Sequence, residues 1–405
     1  MNKLCSVVMA AVMLASASNA KAYDFASGQL FYNVLSETDG TVEVTQNESG
    51  TYSGDIIIPD VAVYNGKTYI VTRIGDSAFK QSDITSLRCG NNLTQLGAWC
   101  LGSCTKLKSL YISKSVTNIE ADAAAGCSVL RNLVFEPGCG ATIGSRAFAN
   151  CPKFVYMLFP PTVTCEAQAF ASSPCAVEFI GDLKSLNNGI FANVFPANII
   201  LGAAKPPKIG SVKPFDNKAK YYSTLYVPRG SRDAYKADSY WGEFADILEK
   251  PFELTINGSA ERVVYTNVNA ELTLHLDFTA RSDNFSTTNL GVSTDDLDVV
   301  KVLYTSTDED GSMNYKVTGL KDGIAKIYFL YSDSRTVTYT CYVCVGQFAA
   351  VHDVTVDTAE PAAYGVYNLS GVKVADGMSK DAVNTLPRGF YILVSPQGST
   401  KHIVR

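Results

Sequence analysis

The heptad Arg73-Ile-Gly-Asp-Ser-Ala-Phe79 returns as Thr142-Ile-Gly-Ser-Arg-Ala-Phe148, and this recurrence constrains the fold more than any other feature of the chain. The frame behind it, apolar-x-x-x-small-apolar, is led in turn by Ile74, Leu96, Ile119, Ile143, Cys165 and Leu186, at intervals of 22, 23, 24, 22 and 21 residues. The filler repeats as well. "CTKLKSLYI" (Cys104 to Ile112), "CSVLRNLVF" (Cys127 to Phe135) and "CPKFVYMLF" (Cys151 to Phe159) all read Cys-x-x-apolar-x-x-apolar-x-apolar. A repeat of about 20–29 residues that cannot bury its own apolar edge must stack on copies of itself. The expected architecture is a solenoid.

Within each repeat the apolar-x-x-apolar-x-apolar run is too short for a helix and alternates like a strand, so stacked copies predict a parallel sheet along one side. Ala78, Ala123, Ala147 and Ala169 allow the opposite turns to pack closely, and Phe79, Phe148 and Phe170 fill the interior. Strand alternation then assigns directions. With Leu87, Leu110, Leu133 and Met157 pointing in, Ser86, Arg88, Ser109, Tyr111, Asn132, Val134, Tyr156 and Leu158 point out. Parity beyond Cys175 is ambiguous.

Residues 23–72 read as short strands with hairpin turns at Asp39-Gly40 and Asn65-Gly66, and are expected to cap the first coil. Repeats are expected over 73–202. A degenerate last coil and a short helix over 203–250 form the second cap. From 251 to 346 the period gives way to alternating strands, clearest in "ELTLHLDF" (Glu271 to Phe278). About seven short strands in nearly a hundred residues suggest a β-sandwich of immunoglobulin type. Residues 347–405 form a third, small all-β piece with Gly-rich turns. The fold class is thus mainly β throughout.

The formal net charge of -5 on 405 residues, with no run of Lys or Arg, argues against nucleic acid and anionic membrane as partners. Residues 1–22 have the charged start, apolar middle and small-residue end of a signal peptide, so the protein is expected outside the cell. Cys5 precedes the apolar stretch, a poor position for lipidation, and no other segment approaches a membrane span. Ten cysteines follow the expected cleavage site. Cys104, Cys127 and Cys151 hold one position of successive coils, and a ladder of buried reduced thiols accounts for them better than disulfides do.

The copies "IGDSAF" and "IGSRAF", the Cys-x-x-Leu-x-x-Leu-x-Ile units and the entry "VYNGKTYIVTRIGDSAF" resemble the BspA-like leucine-rich repeats of bacterial surface proteins. The coda "LYVPRGSRDAYKADSYWGEF" resembles the segment that often closes such arrays. The resemblance covers roughly residues 50–250. It implies a secreted or surface-exposed solenoid used in adhesion or ligand capture, with no shared catalytic site. The stretch "YKVTGLKDGIAKIYF" is similar to bacterial immunoglobulin-like modules. "VYNLSGVKV" and "LPRGFYILV" resemble the C-terminal sorting domains of type IX secretion.

Motifs that could carry chemistry have simpler readings. Cys341-Tyr-Val-Cys344 lies in a strand run, where its spacing sends one sulfur to the core and the other to the surface. His275, His352 and His402 are scattered, and His275 falls on the polar side of its strand. Ser306, Asp308, Asp310 and Gly311 imitate a calcium loop, but Val317 stands where the bidentate Glu belongs, so an acidic hairpin tip is expected. No nucleophile elbow, phosphate loop or His-Glu-x-x-His helix occurs. No cofactor, metal or catalytic residue is expected. The expected function is non-enzymatic recognition of a host or neighbouring-cell surface protein by a monomer, through the outward side chains of the solenoid, with the sandwich as a spacer. Two tyrosines beside Val134 and Leu158 suit such a face. Glycan capture on the same face is the alternative, and an enzyme the third.

Overall fold

The computed structural model describes residues 23–47, 51–173, 176–183, 185–186, 188–333 and 335–349, and within the tail 364–368, 373–378, 380–387, 389–395 and 398–404. The expected signal peptide lies outside the described residues. The chain is mainly β, with a solenoid at its centre. Each coil contributes two strands. The leading residues of the repeats form a ladder of short parallel strands, from Lys67–Ile74 through Gln95–Leu96, Asn118–Ile119 and Thr142–Ile143 to Thr164–Cys165. The apolar-x-x-apolar-x-apolar runs form the parallel sheet on the other side, where Leu87, Leu110 and Leu133 lie in register.

The solenoid is longer than its repeat frame suggests. Ser53–Ile57, in the segment read as a cap, already pairs in parallel with Asp83–Arg88. At the other end Asn198–Leu201, Thr224–Val227 and Asp246–Glu249 continue the ladder, and the expected helix is two short ones, Ala219–Tyr222 and Arg232–Ala237. Asn198–Leu201 falls within the expected repeats and the later two rungs fall where a degenerate last coil is expected, their apolar spacing persisting while the turn frame does not. Both Asn-Gly and Asp-Gly hairpins form: Asn65 and Gly66 take left-handed backbones between Val61–Tyr64 and Lys67–Ile74.

Stacking explains the repeated Phe. Phe148, Phe170, Phe191 and Phe215 form a continuous column with centroid separations of 5.2, 5.7 and 5.1 Å, all stacked near parallel. The cysteine ladder sits beside it. The Cys104 thiol donates to the Phe79 carbonyl, Cys127 to Leu101 and Cys151 to Ala124, at 2.9, 3.2 and 3.4 Å. In the next coil Ser173 takes the same place, donating to the Phe148 carbonyl at 2.7 Å. A weak S–H donor in an apolar interior thus satisfies a coil carbonyl that water cannot reach.

Residues 251–346 form a sandwich of two four-stranded sheets, eight strands where about seven were expected. One sheet runs Glu253–Ile256, Glu271–Thr279, Met313–Gly319, Val300–Thr307; the other runs Val263–Thr266, Thr336–Val345, Gly323–Ser332, Leu290–Thr294. Solenoid and sandwich belong to one compact unit ending at Phe348. The described part of the tail is a separate unit, a four-stranded antiparallel sheet around Tyr364, Val366, Val383 and Leu393.

Candidate functional site

The eight outward residues lie together on the side of the strands opposite Leu87, Leu110, Leu133 and Met157, which are in the solenoid core. They are nevertheless buried: Ser86, Arg88, Ser109, Tyr111, Asn132, Val134, Tyr156 and Leu158 are each 7% exposed or less. The sandwich covers the row from Tyr111 to Leu158, while Ser86 is bonded to Asp55 of the preceding coil and Ser109 to Asn132 of the next. Its second sheet turns Ile324, Tyr342 and Cys344 onto Tyr111, Val134 and Leu158, and Val263 and Tyr265 pack against the same cluster. Farther along, Ile200 and Tyr226 join the core of the sandwich itself. The face expected to await a ligand therefore has an occupant within the chain, and the sandwich braces the solenoid instead of spacing it. Sequence gave the direction of these side chains but could not give the docking, because an apolar face for a partner and one for a neighbouring domain have the same composition.

Polar groups fix the register of this contact. Tyr111 and Tyr265 share a hydroxyl–hydroxyl hydrogen bond of 3.0 Å, and the Arg88 guanidinium lies over the Tyr111 ring at 5.3 Å. Burial holds the Tyr111 phenol well above its ordinary pKa. Asn132 donates to the Ile324 carbonyl at 2.9 Å. The parallel sheet is interrupted between Asn132–Phe135 and Tyr156–Phe159, and Lys326 of the sandwich sits at that seam. Its buried ammonium donates to the carbonyls of Arg131 (2.5 Å) and Tyr156 (3.2 Å), one on each side. Arg131 in turn pairs with Asp296 at 2.6 Å.

A second buried pair joins Arg262 of the sandwich to Glu178 of the solenoid, and the Tyr156 hydroxyl donates to the same carboxylate. Burial opposes the charge on Arg262, but the Glu178 carboxylate more than offsets it and holds the guanidinium above its usual pKa. Arg262 also donates to the carbonyls of Thr340 and Leu254. These groups are consumed in structure. Nothing in their geometry leaves a base or nucleophile facing solvent.

Cys341 lies between the two sandwich sheets, as strand parity expects, whereas Cys344 is not on the surface but buried under the solenoid face. Burial pushes the Cys341 thiol up to about 12 and Cys344 higher still. The acidic hairpin tip forms around Gly311, with Asp308 and Asp310 bonded to Ser312 and Asn314. His275 is partly exposed and bonds Asn314 and Asp277. His352 lies outside the described residues.

What remains open is the turn side of the solenoid. At its C-terminal end a groove of about 540 Å³ opens among Gln168, Asn188, Asn193, Lys213, Asp216 and Asn217. Beside it Phe195 and Tyr222 expose their rings, 6.2 Å apart. Sequence reasoning missed this groove. Its signal is the loss of the repeat frame at "SVKPFDNK", where Pro214 interrupts the turn.

A family described as the BspA type leucine rich repeat region matches residues 67–176 in six copies. Among solved structures, the chain is similar to a leucine rich cell surface protein from Faecalibacterium prausnitzii A2-165, at 18% identity and a TM-score of 0.37 over 58% of each chain. A leucine-rich repeat protein from Bacteroides ovatus is 18% identical with a TM-score of 0.36, over 60% of this chain and 71% of that one. The pneumococcal vaccine antigen PcpA is 14% identical with a TM-score of 0.31, over 50% and 64%. The chain spans 58% of the length of the Faecalibacterium structure. A comparison with curated proteins finds no match. No helix among the described residues is long and apolar enough to cross a membrane.

Proposed function

We propose that this is a non-enzymatic, adhesin-like binding protein, exported and either displayed on the cell surface or released, whose solenoid recognises a macromolecular ligand. The observation that carries this reading is the division of the solenoid surface: the strand side is filled by the chain's own sandwich, which leaves a rigid, regular turn side facing solvent. Such surfaces suit extended partners better than small substrates. Recognition is therefore assigned to the turn side and not to the strand face around Tyr111 and Tyr156. The sandwich strand order, with Val263–Thr266 parallel to Thr336–Val345, supports an immunoglobulin-type reading of that domain. The tail is read as a sorting or anchoring element on its sequence resemblance.

Surface plasmon resonance with residues 23–349 over immobilised extracellular-matrix proteins and mucin tests the proposal. Saturable binding to at least one of them is expected; a flat response to all of them overturns it. Glycan capture remains the second reading, favoured by the amide-rich groove. A hydrolase screen yielding turnover that copurifies with the protein would displace both.

A further inference from the structure

Along the turn side most coils are tied to the next by three N–H groups, and the coil of Leu101 and Ser103 by two. Arg146, Phe148 and Asn150 donate to the carbonyls of Ala167, Ala169 and Ala171 at 3.1, 2.8 and 2.9 Å, and Gln168, Phe170 and Ser172 to those of Asn188, Ile190 and Ala192 at 3.0, 2.8 and 2.9 Å. In the next coil the equivalent donors are Gly189, Phe191 and Asn193. Only Phe191 finds its carbonyl, on Pro214 at 2.8 Å. Among the described residues the N–H groups of Gly189 and Asn193 have no hydrogen-bond partner, so on either side of the Phe191–Pro214 bond the following coil does not close the ladder. The groove lies along these two open positions, lined by Gly189 and Asn193 on one coil and by Val212, Lys213 and Asp216 on the next.

Four of its lining side chains are carboxamides. Gln168, Asn188, Asn193 and Asn217 line it with carboxamides that make no side-chain hydrogen bond among the described residues. Asp216 uses one oxygen on the Lys218 N–H at 2.8 Å, and Lys213 lies over the Tyr240 ring at 5.2 Å. The groove lining thus carries one charge of each sign. Next to these, Phe195 and Tyr222 present rings to solvent, Tyr222 at 72% exposure, with the Lys218 ammonium over Phe195 at 5.7 Å.

We propose that this groove binds a short run of pyranose sugars, with the carboxamides and the Gly189 and Asn193 N–H groups pairing ring hydroxyls and the Phe195–Tyr222 pair carrying a sugar face. A pyranose offers hydroxyls that both donate and accept, and a carboxamide does both as well. Its C–H faces are apolar and suit an aromatic ring. The volume falls in the range of pockets that hold such molecules. This site rests on the binding-protein reading and names a ligand class for it.

The test is an array of defined oligosaccharides probed with the chain from residue 23 to 405, one arm carrying N-acetylated mucin-type chains and the other neutral glucan and mannan chains. Retention in either arm is expected, and the arm identifies the source. Gln168→Gly and Asn193→Gly remove the amides while keeping the left-handed backbone these positions adopt, with φ of 57° and 59°. Each, and Tyr222→Ala, should weaken binding about tenfold by titration calorimetry, the size of one lost hydrogen bond or stacking contact. Tyr304→Ala, exposed on the distant sandwich edge strand, should leave it unchanged. Unchanged melting temperatures identify the losses as binding effects. Should no oligosaccharide be retained, or should retention survive all three groove substitutions, the proposal fails. Matrix-protein binding without sugar binding sinks the groove and spares the broader reading; loss of both sinks each.

Discussion

Phe148 is fully buried, stacked on Phe170 of the next coil and edge-on at 6.4 Å to Phe154 of its own, so its ring joins the coil interior to a coil interface. Phe148→Ala is expected to cost about 3–5 kcal/mol through lost transfer energy and an unfilled cavity. Circular dichroism should show a clearly lowered melting temperature; an unshifted melt would remove Phe148 from the core. Thiol chemistry gives a second check at this scale. Burial pushes the Cys104 thiol up to about 12, and Cys127 is raised by its Cys151 neighbour together with burial. All three thiols of the ladder are fully buried, so iodoacetamide at pH 8 should leave Cys104, Cys127 and Cys151 unmodified in the native protein and alkylate all three after denaturation without reductant. Bridged peptides among them would contradict the ladder. These residues were legible because each repeats at one frame position. Ser173, which ends the thiol ladder, was not: serine and cysteine share the hydrogen-bonding role but not the letter.

At the scale of strands, alternation told which side of Ser109–Ile112 faced out, and the structure adds what lies there. Lys326 was invisible to that reasoning. In "GIAKIYFLYS" it reads as an ordinary solvated lysine on a strand, yet its ammonium closes the seam between two sheets. The partners that make it structural are main-chain carbonyls, which no sequence pattern reports. Lys326→Met keeps the apolar stem and strands the carbonyls of Arg131 and Tyr156 in a dry interface. An unsatisfied buried acceptor costs about 1–3 kcal/mol, and hydrogen exchange at Asn132–Phe135 and Tyr156–Phe159 should accelerate in the variant. If exchange there matches the wild type, the seam is held by other contacts. Glu178→Gln makes the companion case: it leaves the Arg262 guanidinium buried without its counter-charge, a loss of about 3–5 kcal/mol when one member of a buried pair is removed. Susceptibility to proteolysis between solenoid and sandwich should rise with it, and unchanged cleavage would show that the pair is dispensable.

For the whole molecule, the repeat period gave the solenoid, while the boundary near 251 marks a change of pattern and not a break in packing. Continuous contact from Arg88 to Tyr226 ties the two parts together. Residues 23–349 should therefore melt in a single transition with equal calorimetric and van't Hoff enthalpies. Cut at 250, the solenoid would expose Tyr111, Val134, Leu158 and Ile200 as a contiguous apolar strip, and the piece should self-associate in sedimentation. Two separated transitions in the intact protein would refute this coupling.

A solenoid with an open strand face can gain or lose a coil at little cost, since each coil meets only its neighbours. Here Lys326 must reach the carbonyls of both Arg131 and Tyr156 while Tyr265 meets Tyr111 and Arg262 meets Glu178. One more coil, about 23 residues long, would displace the later of these partners by roughly one strand spacing, about 4.8 Å, while the earlier ones stayed in place. The sandwich measures the solenoid as a gauge block measures a gap, and it denies this chain the freedom by which repeat arrays ordinarily grow and shrink.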